Sequence, residues 1–325
     1  MAAPSNWAAV LAGGDGARLQ TLTRLLNGDE RPKQFSPLLG GRSLLEETRA
    51  RLCLNVEPEH TVCVVTRHHQ PFYRRELADL PKTHLLEQPA NRGTTSAVAA
   101  ALVRIGRLAG DAVVGFFPAD HYYRDACLFR RTVAAMFTAA HADTDRIFLL
   151  GAEATRPETD YGWIQPGDPL KVPRLDAARR TRAFAVRGFH EKPSEPAAVD
   201  LFARRCLWNT FVFAGHLRAF EAAMTRAQPD LWAAFDTLAD LPAFDDELSE
   251  IRRVYGAIPV SDFSRDVLSV SPERLGVIQM LGAGWTDLGQ PSRVLDVLAS
   301  RPTSVPMRPD KTMSFISQPR QGVRT

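Results

Sequence analysis

The stretch Leu11–Thr23, LAGGDGARLQTLT, with RPKQF (Arg31–Phe35) eight residues later, decides how this chain reads. Ahead of the glycines, Trp7–Ala12 is a short apolar run that predicts a buried strand, and Gly13, Gly14 and Gly16 follow at once, before Arg18. Glycine has no Cβ, so a backbone built from it can turn tightly and bring its N–H groups against an anion. Arg18 and Lys33 add cations that suit the polyphosphate of a nucleotide better than a neutral ligand. The segment from Leu11 through Gly13, Gly14 and Gly16 therefore reads as a phosphate cradle; the plain alternative is a glycine turn beside two solvated cations. Two better-known motifs fail: no Gly-Lys-Ser/Thr closes a P-loop, and Leu19 stands where a dinucleotide fingerprint needs its third glycine.

Composition bounds the answer. With 325 residues, 45% of them hydrophobic and 24% charged, the chain can bury a full core and has the make-up of a soluble globular protein. A net charge of +3, with Lys and Arg dispersed among Asp and Glu, argues against a nucleic-acid partner. Cys53, Cys63, Cys127 and Cys206 form no C-x-x-C pair, so neither a zinc site nor a redox motif is expected, and buried reduced thiols are the simplest reading. The N-terminus lacks a basic region and its apolar run stops at the glycines, which argues against a signal peptide. No stretch approaches the roughly 20 apolar residues of a membrane span. A cytoplasmic enzyme with no membrane partner is the expectation. The sequence is silent on oligomeric state, and a homo-oligomer is compatible with it.

Beyond the loop, Ser43 with Glu46 and Glu47 opens a helix carrying Leu44, Leu45, Thr48 and Leu52. A strand is predicted at His60–Thr66, a helix from about Gln70 to Leu80 and a short strand near His84–Glu87. Thr94, Thr95 and Ser96 offer N-caps to an alanine-rich helix, and Ala112–Phe117 reads as a central strand ended by Pro118. A helix over Cys127–His141 and a strand at Arg146–Gly151 follow. This alternation predicts an α/β protein with a mainly parallel sheet, helices on both faces and ligands at the carboxyl ends of the strands. Asp120 and His121 sit at such an end. A carboxylate there can hold Mg²⁺ on phosphate oxygens, or it can cap the helix that begins near Ala126.

The composite Gly-Gly-x-Gly-x-Arg-Leu, then Leu-Thr and Pro-Lys, resembles the opening signature of the sugar-1-phosphate nucleotidylyltransferases, and RPKQF looks most like the mannose-1-phosphate guanylyltransferase branch. Further segments are similar in family order. EQPANRGTTSA (Glu87–Ala97) resembles the segment beside the nucleotide base, which implies nucleotide-binding roles for Gln88, Arg92 and Thr94, with Gln88 in place of the family's Glu. GFFPADHYY (Gly115–Tyr123) matches Pro-x-Asp-His, whose Asp is a metal ligand, here Asp120. TDYGWIQPG, VRGFHEKP and LWNTFVF are similar to three sugar-side segments and imply Gly162, Glu191 and Asn209 as sugar contacts and Lys192 as a partner of the sugar phosphate. In the last, Thr210 and Phe211 replace the usual Ser and Gly. GWTDLGQPSRVLDVL (Gly284–Leu298) resembles Trp-x-Asp-x-Gly, which implies Asp287 as the second carboxylate on Mg²⁺; as a bare feature Asp287 is equally a turn residue before Gly289. No residue carries over from SDFSRDVLS (Ser261–Ser269), and the helical pattern of Ala214–Val254, broken at Pro229 and Pro242, suggests no chemistry.

The resemblance implies a Rossmann-like, three-layer nucleotidyltransferase fold with a central mixed, mostly parallel sheet. It implies a catalytic domain over residues 1–300, with a nucleotide-binding half to about 151 and a sugar-binding half from about 152; residues 301–325, with Pro302, Pro306, Pro309 and Pro319 and no periodicity, read as a tail. The implied reaction joins a nucleoside triphosphate, GTP first, to a sugar 1-phosphate, mannose 1-phosphate first, with Mg²⁺ as cofactor and Arg18, Lys33 and Lys192 as the catalytic cations. Another base or sugar, such as glucose 1-phosphate, and a non-catalytic nucleotide-sugar-binding subunit are the alternatives. A metal-dependent glycosyltransferase would carry Asp-x-Asp at the strand end, where this chain has Asp120-His121-Tyr122.

Overall fold

The structure, a computed structural model, describes residues 4–173, 175, 181–241 and 244–301. The proposed tail beyond Arg301 lies outside the described residues. Strands run β1 (Ser5–Leu11), β2 (Thr61–Thr66), β3 (Leu85–Gln88), β4 (Ala112–Pro118), β5 (Tyr122–Tyr123), β6 (Ile147–Glu153), β7 (Gly162–Leu170), β8 (Ala183–Glu191), β9 (Leu207–His216), β10 (Leu275–Met280) and β11 (Trp285–Thr286). Helices are α1 (Gln20–Asn27), α2 (Leu44–Leu52), α3 (Gln70–Tyr73), α4 (Thr94–Ala109), α5 (Ala126–Ala142), α6 (Glu195–Ala203), α7 (Leu217–Ala227), α8 (Pro229–Asp236), α9 (Phe244–Ala257), α10 (Phe263–Asp266) and α11 (Pro291–Ser300).

Among the described residues, nine strands form one mixed sheet in the order β3-β2-β1-β4-β9-β6-β10-β8-β7. The first four are parallel, β9 then enters antiparallel to both β4 and β6, and β10 lies parallel to β6. β7 and β8 pair antiparallel, and β7 also reaches β9, which brings the late strands back towards the centre. β1 shows why its sequence is apolar throughout. Trp7 and Ala9 join the core under α4 with Val98, Leu102 and Ile105, while Ala8 and Val10 join the opposite core under α5 with Val133 and Phe137. A third cluster (Leu19, Leu38, Leu44, Leu288, Val294, Val297) packs α11 against the end of the glycine loop.

Several local expectations hold for local reasons. Ser43 caps α2 in a reciprocal box, accepting from the Glu46 N–H while the Glu46 carboxylate accepts from Ser43 N–H. Others need correction. Gly93, not Thr94, Thr95 or Ser96, is the N-cap of α4, because those hydroxyls are spent on Phe263 N–H, Ser261 and the Gly93 carbonyl. The helix expected over Gln70–Leu80 stops at Tyr73, and the carbonyl of Glu76 accepts instead from Arg49 Nη1. β10 went unread in the sequence: six residues, five of them buried, carry no diagnostic period. Cys63 and Cys206 are buried, but Cys53 and Cys127 are exposed, since each lies at the end of a helix facing solvent. Among the described residues no helix is long and apolar enough to cross a membrane.

Candidate active site

The glycine loop leaves the carboxyl end of β1 and is held by side chains from other elements. Gln34 Nε2 donates to the carbonyls of Ala12 (2.9 Å) and Gly14 (2.7 Å), and Thr66 Oγ1 donates to that of Gly13 (2.7 Å). Gly16 has φ +62°, and a Cβ there would lie 3.1 Å from the Lys33 backbone nitrogen, so RPKQF is seated directly on the loop. Leu11, Gly13, Gly14, Gln88, Gly93, Thr94, Asp120 and Phe211 line a cleft of about 380 Å³ beside it.

β4 ends at Pro118, and the next few residues turn into β5. There the two-residue strands β5 and β11 pair antiparallel, Tyr123 opposite Trp285 and Tyr122 opposite Thr286. That short ladder brings Asp120 and Asp287 to one ammonium group: Lys33 Nζ lies 3.1 Å from Asp120 Oδ2 and donates to the Asp287 carbonyl at 2.7 Å. Asp120 does not cap the next helix, since Asp125 accepts from Leu128 N–H and does so instead. Asp287 is also the turn residue its sequence allows, its Oδ1 accepting from Gly289 N–H at 2.8 Å.

The surroundings set the charge states. Asp287 Oδ1 further accepts from Tyr161 Oη (3.0 Å) and Arg293 Nη1 (2.8 Å). Burial raises the Asp287 pKa, but Lys33, His121 and Arg293 outweigh it and hold the carboxyl below its usual range. Burial pushes His121 down to about 4, against the opposing pull of Asp120, so the ring is neutral at pH 7. Its Nδ1 accepts from Trp285 Nε1 at 3.3 Å, which leaves the proton on Nε2, 3.7 Å from Asp120 Oδ1.

Gly162, Glu191 and Asn209 meet on β7, β8 and β9. Gly162 pairs with Glu191, and a Cβ on Gly162 would stand 2.6 Å from Glu191 Oε2 and 3.2 Å from Asn209 Cβ. Burial, then Asp262, raises Glu191 above the usual carboxylate range despite Lys192. Asn209 turns Oδ1 to the Phe211 N–H (3.1 Å), and Phe211, where the family pattern has Gly, takes φ +56° at the cleft wall. Three further expected contacts have partners within the chain. Arg92 Nε donates to the Tyr255 carbonyl (3.0 Å), Thr94 Oγ1 accepts from Phe263 N–H (2.7 Å), and Arg18 is exposed, 3.8 Å from Asp160. Lys192 is also exposed and lies 3.6 Å from Glu191. Gln88 does face the cleft, its Oε1 accepting from buried Tyr255 Oη at 2.9 Å.

Residues 7–303 match the family described as Nucleotidyl transferase. The chain belongs to the nucleotidyl transferase family. It is 30% identical to the solved mannose-1-phosphate geranyltransferase of Thermus thermophilus, with a TM-score of 0.76 over 92% of this chain and 80% of that one. It is 31% identical over 299 residues to the xanthan biosynthesis protein XanB of Xanthomonas campestris pv. campestris strain B100, covering 89% of this chain and 58% of the relative. With the mannose-1-phosphate guanylyltransferase ManC of Salmonella typhimurium it shares 29% identity over 301 residues, 90% of this chain and 59% of the relative. The chain thus spans somewhat under three fifths of the length of these curated relatives.

In this member of the nucleotidyl transferase family, several residues around the cleft escaped the sequence reading. Arg293, nearly buried, holds Asp287, Asp160 (3.3 Å) and Glu158 (3.0 Å) and lies 4.4 Å from the Tyr161 ring centroid. Asp262 caps α10 at the cleft wall, accepting from Arg265 N–H. Arg293 follows Asp287 by 6 residues, in the first turn of α11, a signal that is legible only once Asp287 is known to need a cation.

Proposed function

We propose that the chain is a nucleotidylyltransferase: an oxygen of a sugar 1-phosphate attacks the α-phosphorus of a nucleoside triphosphate in line, a P–O bond forms, and the bond to pyrophosphate breaks. The observation that carries this reading is the convergence of Asp120 and Asp287 on Lys33, against the glycine turn and beside the cleft. GTP and mannose 1-phosphate are the favoured substrates and GDP-mannose the product. The RPKQF segment and the mannose-1-phosphate relatives support that choice.

The nucleophile is already an anion, so no general base is required, and the barrier is the meeting of two anions as charge builds on the leaving group. Glycine-loop N–H groups and Arg18 hold the β- and γ-phosphates. Lys33 and Lys192 steady the two reacting phosphates and offset their charge. Gln88, with Tyr255 fixing its Oε1, presents its amide nitrogen to the base, and Gly162, Glu191 and Asn209 receive the sugar. Asp120 and Asp287 are the residues that would hold Mg²⁺. The donor set fits a hard ion: Asp287 Oδ1 is taken by three donors, while Oδ2 accepts no hydrogen bond among the described residues. When bound, the ion neutralises charge on the α-phosphate.

Pyrophosphate release over a panel of triphosphates and sugar 1-phosphates, with Mg²⁺, tests the reading. The highest turnover is expected with GTP and mannose 1-phosphate. A different best pair would overturn the substrate choice, and no release with any pair would overturn the reaction.

A further inference from the structure

Asp15, between Gly14 and Gly16 at the tip of the loop, has neighbours unrelated to Asp120 and Asp287. Its Oδ1 lies 3.1 Å from His68 Nε2 and 3.3 Å from His69 Nε2, and the three donor atoms all lie within 4.8 Å of one another. Its Oδ2 accepts from Asn91 Nδ2 at 3.0 Å, which fixes the rotation of the carboxylate and leaves Oδ1 turned towards the two rings. For a tetrahedral ion with bonds of about 2.0–2.1 Å, neighbouring ligand atoms stand about 3.3 Å apart, which the two Asp15–imidazole separations match, while the two imidazole nitrogens need only close in from within 4.8 Å.

The chemistry of the donors narrows the ion. Two imidazoles and one carboxylate suit a borderline transition ion, whereas Mg²⁺ and Ca²⁺ take oxygen ligands. The His69 ring is buried while His68 is mostly exposed, so one ligand is held by packing and the other can swing in. The Asp15 carboxylate at 3.3 Å holds the proton of the neutral His69 ring on Nε2; Nδ1 has no hydrogen-bond partner among the described residues, so the proton can move there and free the Nε2 lone pair for an ion. Three protein ligands leave a position open to water or a phosphate oxygen, unlike the closed four-ligand shell of a structural zinc site.

We propose that Asp15, His68 and His69 form a second cation site, selective for Zn²⁺ or a similar ion, that ties the glycine loop to the turn after β2. Bound there, the ion holds Asp15 to residues fixed at their other end by the sheet, so the mobility of the loop between Gly13 and Ala17 becomes dependent on the metal. This inference is independent of which base or sugar the cleft takes.

The test uses the metal-free full chain in excess Mg²⁺, which keeps oxygen-only sites from reporting. Zn²⁺ is titrated against a chromophoric chelator, and hydrogen exchange is followed over residues 13–17. One Zn²⁺ per chain is expected, with affinity lowered at least about tenfold by His68→Ala and by Asp15→Asn, and with slower exchange in the loop when Zn²⁺ is added. Because the His68 side chain is 58% exposed, His68→Ala leaves the core untouched. No saturable uptake, or the same affinity in His68→Ala as in the parent, would overturn the site; Zn²⁺ uptake without loop protection would overturn the tie.

Discussion

Lys33 shows how much of one side chain's meaning lies in its neighbours. The sequence supplies a lysine after a proline near glycines; the fold supplies Asp120 at 3.1 Å and the Asp287 carbonyl at 2.7 Å. A preorganised contact of this kind is worth about 3–4 kcal/mol in the transition state, so Lys33→Ala and Asp120→Asn are each expected to lower kcat roughly a hundredfold to a thousandfold. Steady-state pyrophosphate release measures it, and near-parental turnover by either variant would remove that residue from its assigned role. The buried histidines give a second expectation. Burial holds both His69 and His121 down to about 4, from 6.5. As pH falls below 6.5 the unfolded chain therefore takes up protons that the folded chain refuses, and stability is present above 6.5 and drains away as pH drops towards 4. Urea midpoints between about pH 7 and about pH 4.5 should decline, and His69→Gln should flatten the decline; an unchanged slope in that variant would exclude His69 as a contributor. Asp120 was legible because Pro118 ends its strand. Tyr161, which donates to Asp287 across 126 positions, was not, since nothing near a tyrosine in sequence announces a partner that far away.

At the scale of elements, legibility follows the range of the interactions that make them. The capping box of α2 joins residues three apart and was readable in full. β5 and β11 are two residues each, too short for any periodicity, yet their pairing draws together the segments that carry Asp120 and Asp287. What fixes that ladder is aromatic packing. Trp285 donates to His121 and lies 4.9 Å from the Tyr161 ring and 6.3 Å from that of Trp208. Trp285→Ala should therefore cost about 3–5 kcal/mol of stability, read as a lowered denaturation midpoint, with activity falling as well because Asp287 loses its register. A loss below about 1 kcal/mol would show that the ladder stands without the indole.

Across the whole molecule, the stretch expected to be helical over Ala214–Val254 begins as the end of β9, and its helices α7, α8 and α9 acquire a purpose that their sequence did not disclose. Glu247 on α9 meets Arg104 at 2.6 Å and Arg107 at 2.8 Å, all three buried or nearly so, and clamps α9 to α4 across 143 positions of sequence. α9 also carries Tyr255, whose hydroxyl orients Gln88 at the cleft. Removing the shared carboxylate leaves two guanidiniums in a low-dielectric setting, so Glu247→Ala should cost about 3–5 kcal/mol in urea unfolding; a change within about 0.5 kcal/mol would mean that α9 is held by its apolar face alone. By itself the sequence determined the α/β class, the glycine loop after β1, and the charged and small residues at strand ends, because each depends on contacts within a few residues and on the period of the pleat. Only the tertiary structure decided that β9 enters the sheet antiparallel between β4 and β6, that β10 fills the place beside β6, and that Asp120 and Asp287 share one lysine. Those outcomes rest on burial and pairing between segments far apart in the chain, whose free energy appears only once both faces of the sheet are covered.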